Sequence, residues 1–590
     1  MKNEIILLQK EMKKEGIAVY VVPSADFHDS EYVSDYFKCR EFLTGFTGSA
    51  GTLVVTIDEA FLWTDGRYFL QAEEQLKGTE IQLMKMGEEG VPTLSEKITE
   101  LLLETPSVGF DGRCVSFGFI EGILNEVEYE FGDVKVSCDE DLVDRIWKDR
   151  PGLPCGPVTD YPLLYAGEER AAKLKRVREA MGDAEALVLS DLSDIAWLFN
   201  LRGEDIPCNP VFLAYAVVER DSAVIFLDEE KMSEELECEL EKDDIFIAGY
   251  EDIYAYLEEM GEGEFVSIDR SHSNFLLCDI LANCEIIDEP SPVQLMKAVK
   301  NETEMNHLRN AHIKDGVAVT KFIYWLKNNI GKREITELDC SEKFEELRGQ
   351  QELYMGPSFD SICAYGAHAA IIHYEPTEES NIKMEPRGLA LFDTGGQYLD
   401  GTTDITRTVV LGELTDDERK YFTLVLKGNL KLGGAKFKKG CTGSCFDYLA
   451  REALWQQGED YNHGTGHGVG FYLNVHEAPN GFRYREKNGC TFETGMLTSN
   501  EPGYYAAGRF GIRHENLVLC VPAEKTDAGE FLEFETVTLV PFDLDGIDLS
   551  LLDGAEKKRL NEYHKRVFET IGERLEEPER EWLRHATREV

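Results

Sequence analysis

The sequence predicts a mixed α/β (α+β) protein, in which two small α/β domains precede a larger third domain. Three observations support this fold class. Helical and extended patterns alternate as far as residue 295, the order of these elements repeats, and a long helical pattern begins at Met296. Alternating strands and helices are typical of α/β units. Because 590 residues exceed what one hydrophobic core organises, we predict domains at 1–153, 154–295 and 296–590.

The first domain opens with a helical pattern over Glu4–Glu15, followed by the apolar run Ile17–Val22. The segment Gly51–Phe69 is rich in β-branched and aromatic residues on both sides of Asp58–Glu59. Such a pattern predicts a β-hairpin that turns at the two acidic residues.

The second domain repeats this organisation. The segments that start at Cys39 and Ile195 each contain an apolar-aromatic step, a glycine-containing loop and two strands joined by an acidic turn. Chance similarity between two α/β units is the alternative, but the matching order of elements favours a true repeat. The stretch 149–162 contains four prolines and therefore gives the first boundary.

The third domain is predicted to begin with one long helix over Met296–Asn329 and to continue with strand-rich segments after Leu347. After Asp553 the pattern becomes helical again. Its apolar residues recur at helical spacing and predict core packing: Leu560, Tyr563, Val567, Ile571 and Leu575.

The composition excludes several classes of function. There are 112 acidic and 61 basic residues, giving a net charge of -51, and no basic stripe of the kind that binds nucleic acid or anionic membranes. No apolar run approaches the roughly 18 residues that span a bilayer. The start of the chain lacks a secretory signal pattern, and the 14 cysteines are dispersed, as expected of free thiols in a reducing compartment. We therefore expect a cytoplasmic protein whose acidic residues solvate its surface.

Two aspartates belong to neighbouring predicted strands of the third domain. Asp393 ends the strand Leu389–Asp393, and Asp404 lies in the strand Thr403–Val410 with Thr406 and Thr408 on the same face. One such aspartate could be a turn cap. Two that face each other across a hairpin indicate a metal site, because a buried carboxylate is costly unless it is paired or bound to a cation.

Six of the 12 histidines fall between His368 and His514. Three of them, His463, His467 and His476, lie within fourteen positions of a glycine-rich segment. A single histidine is more often a satisfied core residue than a ligand. Three in such a segment favour a functional site.

Two glutamates complete the set. Glu501 precedes a Pro-Gly turn, and Arg513 and Glu515 are predicted to share one face of a strand. A guanidinium there would keep a carboxylate ionised, although an ordinary ion pair is the alternative. Four carboxylates and one imidazole suit two divalent ions, with Mn²⁺ preferred and Co²⁺ or Zn²⁺ as alternatives. Two such ions indicate hydrolysis.

In this order, the residues resemble the dinuclear site of the pita-bread metallopeptidases, which include methionine aminopeptidases, prolidases and aminopeptidases P. The similarity covers essentially the whole chain and is close to the three-domain cytosolic Xaa-Pro aminopeptidases. Each motif is weak alone, but together and in this order they are specific. The motifs are WTDGRYFLQAE, SDIAWLFNLRG, NPVFLAYA, AVKN, NAHIKD, AAIIHYEP, DGTTDITRT, HGTGHGVG, LNVHE, EPGYY and GIRHEN.

The resemblance implies a fold and a ligand set. Two creatinase-type N-terminal domains, ribonuclease-H-like in outline, would precede a pita-bread catalytic domain, and a homodimer would form through that domain. Asp393 would hold one metal ion, His467 and Glu501 the other, and Asp404 and Glu515 both.

The resemblance also implies roles around the metals. His373 would bind substrate on the proline side, and His463 and His476 would contact the peptide and help to move protons. Glu501 would act as acid and base. A hydroxide bridging the two ions would attack the carbonyl of the first residue when the second residue is proline.

Three other functions remain open on the sequence. A prolidase-type dipeptidase shares all five ligands, although the second N-terminal domain favours the aminopeptidase. A creatine-hydrolysing relative and a peptidase-like binding module would both lack ligands that are present here. Two departures from the family pattern are Asn500 and His514. Neutral drift at surface or strand-back positions would explain them, and Asn500 could instead alter metal affinity.

Overall fold

The computed structural model describes residues 2–102, 106–486 and 489–590. The chain forms two compact units. One comprises Met1–Leu163 and Glu168–Val293, and the other comprises Leu164–Gly167 and Gln294–Val590.

The first unit contains two six-stranded mixed sheets. The strands of the first sheet are β1 (Val19–Pro23), β2 (Thr52–Thr56), β3 (Ala60–Thr64), β4 (Gln82–Lys85), β5 (Ser107–Gly109) and β6 (Lys135–Ser137), in the order β4-β3-β2-β1-β5-β6. Its helices are α1 (Asn3–Glu15), α2 (Cys39–Thr44), α3 (Phe69–Gln75), α4 (Leu94–Leu101) and α5 (Phe117–Phe131). The predicted hairpin is confirmed, because β2 and β3 are antiparallel and pair Val55 with Ala60.

The second sheet has the order β12-β11-β10-β8-β13-β14. The strands that follow β6 in this unit are β7 (Thr159–Asp160), β8 (Ala186–Leu189), β9 (Leu201–Arg202), β10 (Tyr215–Glu219), β11 (Ala223–Leu227), β12 (Ile245–Gly249), β13 (Phe265–Ile268) and β14 (Glu285–Asp288). The helices that follow α5 as far as residue 298 are α6 (Leu163–Ala166), α7 (Arg170–Ala180), α8 (Leu192–Leu198), α9 (Glu234–Glu241), α10 (Asp252–Glu258), α11 (Phe275–Ile280) and α12 (Pro292–Ala298).

The two sheets share one topology. The central strands are β1 in the first sheet and β8 in the second. Each pairs antiparallel with one neighbour, β2 or β10, and parallel with the other, β5 or β13. The next pairs, β2 with β3 and β10 with β11, are antiparallel in both sheets. The outermost pairs are parallel in both sheets. This likeness is consistent with a repeated α/β unit.

The second unit begins its helical part with a break that the sequence pattern did not predict. The expected helix Met296–Asn329 is wrong as one element: α12 ends at Ala298 and a new helix starts at Glu302. The Asn301 side chain accepts a hydrogen bond from the Glu304 amide, and the Glu304 carboxylate accepts one from the Asn301 amide. This capping box starts a helix locally, although the apolar periodicity continues across the break. The helices after α12 are α13 (Glu302–Asn329), α14 (Glu337–Arg348), α15 (Asp416–Gly433), α16 (Ser444–Trp455), α17 (Gly554–Ile571) and α18 (Glu577–Ala586).

The strands of the second unit lie between these helices. They are β15 (Tyr354–Pro357), β16 (Ile362–Tyr365), β17 (Leu389–Thr394), β18 (Gly396–Tyr398), β19 (Gly401–Thr402), β20 (Ile405–Val410), β21 (Lys436–Lys438), β22 (Gly466–Gly468), β23 (Glu477–Phe482), β24 (Leu497–Asn500), β25 (Gly503–Ala506), β26 (Phe510–Arg513), β27 (Asn516–Thr526) and β28 (Gly529–Thr536). They form the sheets β15-β18-β19, β16-β17-β20, β21-β28-β27-β24-β22-β23 and β25-β26.

Helices cover these sheets with apolar side chains. Phe322 of α13 packs against Phe344 of α14 and against Phe392 of β17. In α17, Leu560 and Val567 are fully buried, which confirms the prediction that the terminal apolar stripe is core packing.

Among the described helices, none combines the length and the apolar character that crossing a bilayer requires.

Candidate metal centre

Two of the predicted ligands lie on the hairpin of β17 and β20. The pairing Asp393↔Thr406 places Asp393 at the end of β17, and Asp404 comes directly before β20. Both side chains are buried. The observed strand bounds lie within two residues of those that the sequence predicts, because short runs of apolar and β-branched residues between glycine-containing segments mark strands clearly.

The two glutamates lie at the ends of an adjacent strand pair. Asn500 of β24 pairs with Asn516 of β27, so that Glu501 and Glu515 emerge at the same edge of the six-stranded sheet. The Glu515 amide donates to the Thr406 carbonyl at 3.1 Å and links this edge to the aspartate hairpin. The edge and the hairpin therefore present their carboxylates to one another.

His467 comes from β22, which pairs with β24 through Gly468 and Thr498. Its backbone amide donates to the Ser499 hydroxyl at 2.9 Å. The neighbouring Gly466 has to be glycine, because a Cβ there would collide with the Ser499 carbonyl. Close strand packing thus fixes the histidine ring beside the glutamate edge.

The predicted ligands converge in one cluster. Ligand atoms of Asp404, His467 and Glu515 lie within 4.8 Å of one another. The His467 Nε2 is 3.5 Å from an Asp404 oxygen and 3.4 Å from a Glu501 oxygen. Asp393 is close enough for the charges of Asp404 and Glu501 to raise its pKa. Their role as ligands stays a prediction.

The electrostatics are those of several buried acids crowded beside one guanidinium and one imidazole. Burial raises the pKa of Asp393 to about 6, against the opposing effect of the Arg513 guanidinium. Burial and the neighbouring carboxylates, Asp404 first, raise the pKa of Glu515 well above its usual value. Burial lowers the pKa of His467, but its hydrogen bond to Asp404 and the charge of Glu501 outweigh this and raise it to about 9. The cluster therefore attracts positive charge.

A pair of divalent cations fits the oxygen atoms that this cluster presents. One buried oxygen of each of Asp393, Asp404 and Glu515 accepts no hydrogen bond from any residue that the structure describes. Burying such oxygens is costly unless a cation compensates them. A donor set of carboxylates with one imidazole suits Mn²⁺, Zn²⁺ or Co²⁺.

Arg513 has a different partner from the one that the sequence predicts. Its guanidinium donates to Asp393 at 2.5 Å and to the Tyr505 hydroxyl at 2.8 Å. The expected strand face shared with Glu515 is wrong, because β26 ends at Arg513 and β27 begins only at Asn516. The break redirects the guanidinium to the aspartate hairpin, where it keeps the pKa of Asp393 lower than burial alone would.

Each of the three predicted histidines has a contact that connects its position to this cluster. The His463 Nε2 lies 2.9 Å from the Tyr505 hydroxyl, and the ring of His476 is 4.3 Å from that of His467. His373 follows Ile372, whose carbonyl accepts a hydrogen bond from Arg513 at 3.4 Å. The structure therefore places His476 beside His467, connects His463 to Arg513 through Tyr505, and places the backbone next to His373 at Arg513, while the roles of all three stay predictions.

Two supporting residues were missed by sequence reasoning. Tyr505 joins His463 to Arg513 through its hydroxyl, and the Ser499 hydroxyl donates to Glu501 at 3.1 Å. Ser499 could have been found by period-two spacing, since it lies two residues before Glu501. Tyr505 depends on the pairing of β25 with β26, which the sequence does not reveal.

The two departures from the family pattern are both buried, so that a surface position is wrong for each. The side-chain amide of Asn500 donates to the backbone carbonyl of Asn429 at 2.9 Å. In return, the side-chain amide of Asn429 donates to the backbone carbonyl of Asn500 at 2.8 Å. The His514 ring packs edge-on against Phe422 and Phe542. Burial, with the positive charge of Arg407, lowers the pKa of His514 to about 3. His514 is therefore a neutral core residue.

We expect His514→Leu to reduce the loss of stability in mild acid. Between pH 6.5 and pH 3 the unfolded chain binds a proton at His514 that the folded chain does not, so that stability falls as pH falls. At pH 5 this one group costs about 2 kcal/mol relative to pH 7. The free energy of unfolding, measured in urea at both pH values, should therefore depend less on pH in the variant. His585→Leu is the control, because His585 is exposed. If His514→Leu and the wild type had the same pH dependence of stability, this would contradict the description of His514 as a neutral core residue.

The fold agrees with that of known proteins. The family model described as "Creatinase/Prolidase N-terminal domain" matches residues 5–140, and a second model of that description matches 149–304. "Metallopeptidase family M24" matches residues 306–522, and the C-terminal region of this peptidase matches 530–590. These matches confirm the predicted fold class, two creatinase-type domains followed by a pita-bread domain.

Relatives match over nearly the whole chain. A protein named "Probable Xaa-Pro aminopeptidase P" from Pyrenophora teres f. teres is 40% identical over 98% of this chain and 91% of its own length. Another of that name, from Pyricularia oryzae, is 41% identical over 95% of this chain and 94% of its own. The crystal structure of an X-prolyl aminopeptidase from Caenorhabditis elegans, described as a cytosolic enzyme with a di-nuclear active site, superposes with a TM-score of 0.95 at 35% identity and covers 100% of this chain and 99% of that one. The chain thus belongs to the metallopeptidase family M24, on the branch of its Xaa-Pro aminopeptidase P relatives.

Proposed function

We propose that this protein is a metal-dependent aminopeptidase that hydrolyses the bond between an N-terminal residue and a penultimate proline. The observation that carries this function is the convergence of Asp404, His467 and Glu515 within 4.8 Å, with buried carboxylate oxygens left for a cation. Support comes from the names of the relatives and from the C. elegans neighbour, which is described as having a di-nuclear active site.

In this proposal two divalent ions, preferably Mn²⁺, bind each chain. Asp393 would hold one ion, His467 and Glu501 would hold the other, and Asp404 and Glu515 would contribute to both sites. When bound, such a pair supplies an activated water and polarises the scissile carbonyl. Zn²⁺ and Co²⁺ are the alternatives that the same ligands accept.

Glu501 is proposed to move the proton. Its carboxylate is oriented by the Ser499 hydroxyl at 3.1 Å and lies beside His467, so that it can accept a proton from water and return it to the leaving nitrogen. The proline nitrogen of the substrate belongs to a tertiary amide without an N–H. Other residues would bring an N–H to this position. A site that offers no hydrogen-bond acceptor there can therefore specialise on proline.

The histidines are proposed to hold the peptide. His373 binds the proline side of the substrate, and His463 and His476 contact the peptide backbone. Tyr505 fixes the His463 ring through its hydroxyl and is itself held by Arg513. Arg513 also orients Asp393, which connects peptide binding to the metal site by direct hydrogen bonds.

The remaining organisation is also proposed. Domains 1–153, 154–295 and 296–590 would form a homodimer joined through the third domain, in the cytoplasm. The C. elegans neighbour is described as cytosolic. Sedimentation at several protein concentrations tests the dimer, since a persistent single-chain mass would contradict it.

We expect a tripeptide Xaa-Pro-Xaa to be cleaved with higher kcat/KM than the dipeptide Xaa-Pro. The dipeptide brings its free carboxylate towards the acidic site, and one such like-charge contact costs about 1 kcal/mol, or roughly fivefold. Adding salt should narrow the difference, because exposed charges are screened over about 8 to 10 Å. Initial rates on matched peptides at two ionic strengths measure both effects.

The same experiment separates the two nearest enzymes. A prolidase-type dipeptidase would cleave the dipeptide as well as or better than the tripeptide at any salt concentration, and that result would replace the proposed function. An uncharged dipeptide amide is the control, because it has dipeptide length without the carboxylate.

A further inference from the structure

A fully buried ion pair lies outside the proposed ligand set. Asp315 of α13 and Arg348 of α14 are both 0% exposed in their side chains. The Arg348 Nε and Nη2 donate to the two Asp315 oxygens at 2.6 Å and 3.1 Å. A buried pair of this kind gains little stability over apolar residues of similar volume. Its other hydrogen bonds therefore indicate what it does.

The pair continues to two threonines, each adjacent in sequence to a proposed ligand. The Arg348 Nη1 donates to the Thr394 hydroxyl, and Thr394 directly follows Asp393. The Thr403 hydroxyl donates to Asp315 at 3.0 Å, and Thr403 directly precedes Asp404. One buried ion pair thus contacts both ends of the connection between the two aspartates.

That connection needs support because the strand ladder does not include Asp404. The pairing of β17 with β20 ends at Thr394↔Ile405, one residue short of it. The intervening turn is tied to the same pair, since the Tyr398 hydroxyl donates to Asp315 at 2.9 Å. The direction of the Asp404 carboxylate therefore depends on how Thr403 is held.

We propose that Asp315 and Arg348 are positioning residues, which set the separation and direction of Asp393 and Asp404 for metal binding. This inference rests on the proposed function. The ion pair acts through the hydroxyls of Thr394 and Thr403, so that metal affinity depends on two residues that touch neither metal nor substrate. Partners of this kind commonly change metal affinity by about 10- to 100-fold.

The test replaces the hydroxyls and leaves the ion pair in place. In the double variant Thr394→Val/Thr403→Val the side-chain shape is kept and both links are lost. Metal-stripped protein is titrated with Mn²⁺ in a calorimeter. The Kd of the valine variant should be about 10- to 100-fold weaker than that of the wild type. The serine variant Thr394→Ser/Thr403→Ser keeps both hydroxyls and should restore the wild-type Kd.

A matched control and a folding measurement accompany the titration. Thr402→Val removes a hydroxyl in the same turn that bonds to Gln397 at 2.8 Å, and it should leave the Kd unchanged. In the absence of metal, the serine variant should have nearly the same Tm as the valine variant, because the hydroxyls act mainly on metal binding. If the double valine variant does not fold, the single variant Thr403→Val is titrated, because Arg348 still pairs with both oxygens of Asp315.

The outcomes are distinct. An unchanged Kd in the folded valine variants overturns the inference and leaves the proposed function standing. Equal weakening in the serine variant also overturns it, because the hydroxyls would then not be the link. A wild-type protein that binds no Mn²⁺ overturns the proposed function, and this inference with it.

Discussion

Asp404→Ala should lower kcat/KM on an Xaa-Pro tripeptide by more than about a thousandfold and leave the protein folded. The variant loses a proposed bridging ligand, which is a larger change than the loss of one transition-state hydrogen-bond donor. The protein should remain folded, because among the neighbouring charges Asp404 contributes most to the raised pKa of Glu515. Removing it relieves like-charge repulsion in the metal-free protein. Initial rates measure the loss of activity, circular dichroism measures folding, and metal content per chain shows whether the loss of activity accompanies a loss of metal.

The matched control is Asp527→Ala, in the exposed turn between β27 and β28. It removes one carboxylate at the end of β27 that is remote from Glu515, and it should retain both metal and activity. Full hydrolysis rates in Asp404→Ala with added Mn²⁺ would contradict the assignment of the metal site.

His373→Ala should retain the metal ions and lose turnover, by about a hundredfold to ten-thousandfold. Its proposed contact is with the substrate, and it directly follows Ile372, whose carbonyl accepts a hydrogen bond from Arg513. Because no ligand is removed, metal content measured on the purified protein should equal that of the wild type. Steady-state kinetics on the same sample should show the loss.

His307→Ala is the control for this variant, since His307 bonds to the Leu164 carbonyl on the surface of α13. It should leave both measurements unchanged. Metal content that falls in step with activity in His373→Ala would mean that His373 is itself a ligand.

Short-range patterns predicted most of the fold. The hairpin of β2 and β3, the strand that carries Asp393, the strand that begins directly after Asp404, and the apolar stripe of α17 all follow from local periodicity. These patterns work because one face of each element is buried. The break between α12 and α13 was missed, since the capping box of Asn301 interrupts a continuous apolar pattern.

Contacts between distant segments could not be predicted in the same way. Arg513 bonds to Asp393, 120 residues earlier in the chain, although the sequence pattern assigned it to Glu515. Asp315 ends the motif NAHIKD, but no local pattern shows that Asp315 and Arg348 contact the residues beside two proposed ligands. His514 is polar in sequence and lies in an aromatic core. Each of these depends on tertiary packing that a local pattern does not contain.

Product analysis tests the central claim most directly. Ala-Pro-Phe and Ala-Ala-Phe are incubated with Mn²⁺-loaded protein and with protein treated with a chelator, and the products are separated and weighed by mass spectrometry. We expect free alanine and Pro-Phe from Ala-Pro-Phe, at a rate at least about tenfold above that for Ala-Ala-Phe, and no products after metal removal. Release of Ala-Pro and phenylalanine, or cleavage that persists without metal, would contradict a metal-dependent Xaa-Pro aminopeptidase.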